Sequence, residues 1–225
     1  GSGGLAGPLD VSLTGVVMTG MTAGCLSGSG TDYTFNDSIL DDGTNKIRII
    51  DGTIREFNTD DYANPFSNDV SWMSGGNIEL LKDLNMTKKW VIGAAMNISG
   101  NGHTITFTDS AGIFDYNADL TLSDATLTNV TGASFDNGAS ADLLVRNVAW
   151  HDGSGKGAIH IQPALHRQWV MMSLYPADTT AGDIFDNVVI WNIGGRVELL
   201  SDCTLNQSWE FGEASHIDGN NHVFR

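Results

Sequence analysis

Short runs of alternating apolar and polar residues recur along the chain, and each is bounded by Gly, Asn or Asp. The clearest runs are 46–50, 77–81, 103–107, 141–145, 158–161 and 187–191. A period of two over about five residues is typical of half-buried β-strands, and the bounding residues favour tight turns. The best helix candidate, 168–172, is short. The pattern therefore predicts an all-β protein.

One block of the sequence occurs twice. Residues 66–103 return at 185–222, an offset of 119, with 17 identical positions out of 38. The positions shared in the first copy are Phe66, Asn68, Val70, Trp72, Gly75, Gly76, Glu79, Leu80, Leu81, Asp83, Trp90, Gly93, Ala95, Ile98, Gly100, Asn101 and His103. Internal self-similarity of this kind indicates repeat architecture.

The second copy stops soon after His222, whereas the first continues past His103. The residues that follow the first copy, 120–131, match 11–22 at the N-terminus in their apolar positions, at an offset of 109. We therefore expect one β-solenoid domain, 1–225, with a pseudo-repeat at 64–105 and 183–224. Its halves would be circularly permuted: 75–193, and 194–225 followed by 1–74. An ordinary tandem duplication with trimmed ends is the alternative.

Tryptophan spacing supplies a length for the repeating unit. Trp72 and Trp90 are separated by the same number of residues as Trp191 and Trp209. That spacing suits one coil of a β-solenoid. We expect a parallel β-helix of roughly ten coils with open ends, about 45–50 Å long. Periodic tryptophans of this kind are more often core residues than a sugar-binding platform.

The turn and strand at 98–107, together with 78–83, resemble coils of right-handed parallel β-helix proteins. This is the pectin-lyase-like group, which includes bacterial surface adhesins and autotransporter passengers. The motif recurs at 217–224, with Asn221 in place of the second glycine of the Gly-Asn-Gly turn. The resemblance implies a fold in which alternate residues after the turn enter the core, and it implies almost nothing about activity.

The composition and the first residues of the chain indicate which partners are unfavourable and in which compartment the protein is expected. The net charge is −16, with a pI near 4.4, so the surface repels nucleic acid and anionic membranes. No stretch approaches the apolar length of a membrane-spanning helix, so membrane insertion is not expected. The chain begins at Gly1 without an initiator Met, which predicts processing and an extracellular or cell-surface location. A tag scar at 1–4 is the alternative.

Candidate chemistry is sparse. Polysaccharide-degrading enzymes of this fold use clustered Asp with a basic residue, and the candidates are Asp41, Asp42, Asp60, Asp61, Arg55 and Arg167. Adjacent Asp pairs such as Asp60 and Asp61 lie in an Asn- and Thr-rich context that favours solvated loops. The six histidines fit no zinc motif. We expect that the protein is not an enzyme and has no catalytic residue and no cofactor, although Asp-rich loops could hold calcium.

The two cysteines, Cys25 and Cys203, do not form a disulfide framework. Cys203 is expected to be buried, and a bond to a neighbour's Cys25 is the alternative.

These observations favour a structural subunit of an extracellular fibre, whose partner is a second copy of the chain. A contact that repeats head-to-tail without closing generates a filament. The expected assembly interface consists of Leu9, Val11, Leu13, Val16, Met18, Trp209, Phe211, Ile217, His222, Val223 and Phe224. A monomeric adhesin or carbohydrate-binding passenger fragment, which would bind glycans, is the alternative. A polysaccharide-degrading enzyme is a third.

Overall fold

Eighteen strands make up a computed structural model of the protein, which describes residues 10–22, 24–27, 30–56, 63–108, 111–136, 141–162, 184–186, 189–191, 196–211 and 215–225. The strands are β1 (Asp10–Thr14), β2 (Val17–Thr19), β3 (Asp32–Asp41), β4 (Lys46–Glu56), β5 (Val70–Leu80), β6 (Leu84–Met86), β7 (Lys89–Ile92), β8 (Met96–Ser99), β9 (Thr104–Phe107), β10 (Ile113–Tyr116), β11 (Leu120–Val130), β12 (Phe135–Asp136), β13 (Leu143–Asp152), β14 (Ala158–Gln162), β15 (Val189–Trp191), β16 (Arg196–Leu199), β17 (Trp209–Phe211) and β18 (His216–Asp218). None of the described segments is a helix that could cross a membrane.

Ten strands stack in the order β1, β3, β4, β5, β8, β11, β13, β14, β16 and β18. We call each of these ten levels a row. Neighbouring rows are parallel, except that β4 and β14 run antiparallel to both of their neighbours. The remaining strands of the main sheet pair beside these rows, and β15 pairs with β17. The prediction of an all-β parallel solenoid is confirmed, with two reversed strands that it did not include.

The long strands bend where a residue adopts a left-handed backbone. In β11 the side chains alternate between buried and half-buried up to Ser123, then Asp124 has φ 53° and the alternation restarts at Ala125. Asp37 in β3 and Asn147 in β13 have φ 49° and 52° at the same kind of corner. Asp and Asn tolerate this conformation better than other non-glycine residues, which explains their place at the corners.

The stack has a period of five rows. A reversed strand lies between two parallel strands at rows three and eight, and the paired residues are Leu40–Ile47–Leu80 in the first case and Trp150–Ile159–Leu199 in the second. Val11 pairs with Tyr33 as Leu120 pairs with Leu143. Rows β1, β3, β4, β5 and β8 therefore correspond to β11, β13, β14, β16 and β18.

Aromatic side chains run through the centre of the stack. The ring centroids are 5.3 Å apart for Trp72 and Trp90, 5.7 Å for Trp90 and Phe114, 5.7 Å for Phe114 and Phe135, and 5.1 Å for Phe135 and Trp150. Each of these side chains is almost completely buried. Burial of a side chain of this size contributes at least about 1.5–3 kcal/mol, so the tryptophans act as core residues.

The prediction of roughly ten coils is wrong, because the solenoid has about seven turns. The tryptophan spacing predicts ten coils only if every coil has that length. That spacing holds approximately for Ile78 and Ile98, which pair in adjacent rows. Leu40 and Leu80 are twice as far apart along the chain, because the reversed strand β4 occupies the level between them. Each reversed strand adds residues to the chain and a row to the stack but does not complete a turn.

Candidate assembly interface

The two ends of the stack are the candidate site. Among the described residues, β1 and β2 pair only with β3, and β18 pairs only with β16. Phe224 continues the last level by forming a bridge with Cys203. We call residues 10–19 the N-terminal coil, and residues 209–211 with 215–225 the C-terminal coil.

Exposed apolar side chains concentrate at these ends. Five of the eight large apolar side chains that are exposed in the described part of the chain lie there: Val17, Phe211, Ile217, Val223 and Phe224. Ile217 is 38% exposed, whereas its interior counterpart Ile98 is 1% exposed. Phe224 is 39% exposed, and its counterpart Ile105 is 0% exposed. The interior pair is covered by β11, which stacks on β8 and β9.

The C-terminal coil already has the backbone arrangement of an interior row. The Asp202 carboxylate accepts a hydrogen bond from the backbone N–H of Val223 at 3.0 Å. In the interior, the Asp83 carboxylate accepts one from the N–H of Thr104 at 2.9 Å. Little rearrangement is therefore needed before another strand could pair with this edge.

The turn after β18 repeats the interior turn. The His222 N–H donates to the Gly219 carbonyl at 2.7 Å, and the His103 N–H donates to the Gly100 carbonyl at 2.8 Å. Asn220 has φ 49°, a left-handed conformation that Asn tolerates. The C-terminal coil is thus a preformed edge.

Gly100 and Gly219 have the same place in the two turns but different surroundings. A Cβ built on Gly100 would lie 2.5 Å from the Asp124 carbonyl oxygen and 2.5 Å from the Ala125 Cβ, both in β11. A Cβ on Gly219 would meet no atom closer than the His222 carbonyl oxygen, at 3.8 Å. Close approach of the next row therefore explains glycine at Gly100, and the described residues supply no such row at Gly219.

The N-terminal coil buries one face and leaves the other exposed. Val11, Leu13 and Met18 are half-buried and pack against the core, and Val16 is also half-buried. Val17 is 60% exposed. The covered side chains hold this coil on β3, while its other edge has no described partner.

The predicted interface residues fall into two groups at opposite ends of the stack, so one molecule does not bring them together. The N-terminal group is Val11, Leu13, Val16 and Met18, and the C-terminal group is Trp209, Phe211, Ile217, His222, Val223 and Phe224. Leu9 lies outside the described residues. The predicted interface omits Val17 and Gly219. The repeat aligns Gly219 with Gly100, but the alignment alone does not show that the next row crowds this position.

Two carboxylates, Asp218 in the C-terminal coil and Asp202 in the segment beneath it, are held ionised by local donors. The Arg196 guanidinium donates to Asp218 at 2.6 Å, and this bond is the main reason why the pKa of Asp218 is lowered; the N–H of Asn220 lowers it further. The N–H of Val223 is the main reason why the pKa of Asp202 is lowered. Both carboxylates are therefore ionised at neutral pH.

The candidate catalytic residues that lie in the described part of the chain have structural partners. Asp41 forms an ion pair with Lys46 at 3.2 Å, and Asp42 accepts hydrogen bonds within its own turn. Arg55 donates to both carboxylate oxygens of Asp32, at 2.6 and 2.7 Å. Asp60, Asp61, His166 and Arg167 lie outside the described residues. Within the described part of the chain, no group of three His, Cys, Asp or Glu side chains could hold a metal ion.

His160 lies in a polar cluster on the reversed strand β14. Its Nε2 is 3.1 Å from the Asn147 Oδ1, and its Nδ1 is 4.0 Å from the Glu198 carboxylate. Burial lowers the pKa of His160, and the neighbouring Glu198 partly opposes that shift. The cluster links three successive rows, because Asn147 lies in β13, His160 in β14 and Glu198 in β16.

Both cysteines are free thiols, with Cys25 exposed and Cys203 buried. Burial raises the pKa of Cys203, so its thiolate form is disfavoured. Cys203 also carries the bridge to Phe224, which places it beneath the C-terminal coil.

Comparison with known proteins gives no relative: no protein-family model, curated protein or solved structure matches the chain.

Proposed function

We propose that the protein is a structural subunit of an extracellular fibre, in which copies join head-to-tail by stacking their end coils. The observation that best supports this proposal is a difference in burial between two equivalent residues. Ile98 is covered by β11, whereas Ile217 is exposed in an otherwise equivalent row. The molecule holds a counterpart of β11 at its other end, the N-terminal coil. A second copy can therefore supply the missing row.

The shape of the contact favours an open polymer. The two faces lie at opposite ends of one stack and differ from each other, so the contact is heterologous. A heterologous contact that does not close into a ring adds one subunit after another in the same direction. The acidic surface, with a net charge of −16, supports a partner other than nucleic acid or an anionic membrane.

Apolar contact alone would leave little surplus energy. Full burial of one large apolar side chain contributes about 1.5–3 kcal/mol, and these side chains are already partly covered. Association costs about 4–15 kcal/mol in lost translational and rotational freedom. Backbone hydrogen bonds between the two edges must therefore contribute, as they do when a strand is added to an exposed sheet edge.

Negative-stain electron microscopy of the purified chain at micromolar concentration tests the proposal. Ten rows at about 4.8 Å each predict fibres with an axial repeat near 48 Å per subunit. Isolated short rods of that length at every concentration would contradict the proposal, and glycan-binding assays on the monomer would then follow.

A single substitution tests whether the ends are the joining surfaces. Ile217→Lys places a charge where a second copy would cover it, and leaves the N-terminal coil intact. The variant should form no fibres alone and, added at one part in ten, should shorten wild-type fibres by capping them. Ile50→Lys is the matched control, because Ile50 is 37% exposed but lies on β4, away from both ends. Normal fibres from Ile217→Lys would remove the C-terminal coil from the interface.

A further inference from the structure

We infer that the junction between two copies has one defined register, in which the C-terminal coil of one copy and the N-terminal coil of the next reproduce the contact of β8 and β9 with β11. This inference rests on the proposed function. It deepens that proposal because it names which residue of the second copy meets which residue of the first.

The template is the interior contact. β8 and β11 are parallel and in register, with Asn97 opposite Thr121 and Ile98 opposite Leu122. On the next face, Ile105 of β9 lies opposite Leu127 of β11. The backbone is tied at the turn, where the Gly100 N–H donates to the Ser123 carbonyl and the Gly102 N–H to the Asp124 carbonyl, both at 2.7 Å.

The N-terminal coil matches β11 in backbone as well as in sequence. At the offset of 109, Gly15 corresponds to Asp124, and their φ angles are 64° and 53°. Gly20 corresponds to Asn129, with φ angles of 63° and 56°. Met18 pairs with the β3 residue Leu40, as Leu127 pairs with Trp150 of β13. Counterparts of both corners of β11 are therefore already present, one within the N-terminal coil at Gly15 and one directly after it at Gly20.

The C-terminal coil matches β8 and β9 at the offset of 119. Transfer of the interior pairs gives the intermolecular pairs Ser12–His216, Leu13–Ile217, Thr14–Asp218, Val17–Val223, Met18–Phe224 and Thr19–Arg225. Ile217, Val223 and Phe224, which are exposed in the last turn, then each meet an apolar residue of the next copy. The Gly219 N–H would donate to the Thr14 carbonyl, as the Gly100 N–H donates to that of Ser123.

The glycine at Gly219 is explained by this register. Gly15 and Val16 of the second copy would occupy the places that Asp124 and Ala125 occupy over Gly100. A side chain at Gly219 would then clash with the backbone of the neighbour, as a side chain at Gly100 would clash with β11. Without a second copy, nothing in the described surroundings requires glycine there.

A slip of two residues is the competing register. A slip of one residue would place inward side chains of one coil opposite outward side chains of the other, whereas a slip of two keeps inward side chains opposite each other. A two-residue slip would place Thr14 opposite His216, and would move Gly15 away from Gly219. Pairs of exposed positions therefore distinguish the two registers.

Disulfide trapping tests the register. In a Cys25→Ser background, Ser12→Cys with His216→Cys reports the inferred register, and Thr14→Cys with His216→Cys reports the slipped one. Paired Cα atoms of adjacent strands lie within the range that a disulfide can span. The control is Asn97→Cys with Thr121→Cys, whose two positions are paired within one chain. After assembly and mild oxidation, products are separated on a denaturing gel without reductant, and fibres are viewed in parallel.

We expect the Ser12–His216 variant to give dimers, trimers and longer covalent chains at least ten times faster than the Thr14–His216 variant, while the interior control closes within single chains. Faster linkage of Thr14–His216, or fibres of the first variant without linkage while the interior control closes, would overturn the register and leave the fibre standing. Covalent dimers from Ser12→Cys alone would overturn the head-to-tail arrangement. A chain that stays monomeric in the Cys25→Ser background would instead overturn the proposed function.

Discussion

Rows β8 and β18 have equivalent sequences, turns and hydrogen bonds, but one lies inside the stack and the other at its end. Ile98 in β8 is buried because β11 covers it, and Ile217 in β18 is exposed although its own row is built in the same way. The difference shows that burial here depends on the next row rather than on the row itself. A substitution should therefore act on folding at β8 and on assembly at β18.

The largest difference in stability is expected when the two equivalent isoleucines, Ile98 and Ile217, are truncated to alanine. Ile98→Ala removes a buried side chain and should lower the free energy of unfolding by about 2–5 kcal/mol. Ile217→Ala should change it by no more than about 0.5 kcal/mol, because the side chain is exposed in the monomer. Denaturant titration below the fibre-forming concentration measures both. Equal losses in the two variants would mean that β18 is already covered in the monomer.

The two equivalent glycines, Gly100 and Gly219, should also distinguish an effect on folding from an effect on assembly. Gly100→Ala forces a Cβ against the backbone of β11, and overpacking of this kind costs about 1–3 kcal/mol. Gly219→Ala meets open space in the monomer and should be neutral or stabilise it by up to about 1 kcal/mol. The same variant should raise the protein concentration needed for fibres at least tenfold in a sedimentation assay. Unchanged fibre formation by Gly219→Ala would contradict close approach at this turn.

Ionic strength should affect the end coils far more than the interior row. Each subunit carries a net charge of −16, and repulsion between subunits opposes stacking. The Debye length falls from about 30 Å at 0.01 M salt to about 8 Å at 0.15 M, so added salt should promote fibres severalfold with little change in monomer stability. Light scattering follows assembly, and denaturant titration follows the monomer. Assembly that does not respond to salt in this range would refute the electrostatic argument.

The smallest effect is expected on the pH dependence of stability, at a third pair of equivalent positions, Arg48 in β4 and His160 in β14. Arg48 remains charged between Asp37 and Glu79, at 2.7 and 3.1 Å. Burial lowers the pKa of His160 below its ordinary value of 6.5. The unfolded chain therefore takes up the proton first as pH falls, and the contribution of neutral His160, present above pH 6.5, is lost as pH falls through the folded pKa.

His160→Gln should accordingly lose less stability than the wild-type chain between pH 7.5 and pH 5. The measurement is the free energy of unfolding at intervals across that range. His216→Gln, which removes an exposed histidine from β18, serves as the control. Identical pH profiles for wild type and His160→Gln would show that His160 does not titrate differently on folding.

Much of the fold could be predicted from particular residues. The alternating run at 46–50 lies in β4, and the run at 158–161 lies in β14. Trp72 and Trp90, predicted as core residues, are both fully buried and in contact. Such patterns report which side chains face inward, and they do so reliably in strands.

The reversed strands could not be predicted in the same way. An alternating pattern reads identically for a parallel and an antiparallel strand, so Ile47 and Ile159 carried no sign of direction. The exposed state of Val17 was also out of reach, since it depends on which row stacks next. For the candidate interface, the offset of 119 located Ile217 and Phe224, but the role of Gly219 emerged only from the crowding at Gly100.

The two reversed strands, five rows apart, also affect how a fibre of this protein would look. If copies stack in the register inferred above, a reversed strand recurs every five rows across molecular boundaries as well as within each molecule. At low resolution such a fibre would show an apparent axial spacing of about 24 Å, half that of the true subunit. Features that differ between the halves would reveal where one molecule stops and the next begins. Examples are the lengths of β4 and β14, which have 11 and 5 residues, and the side chains of Arg48 and His160.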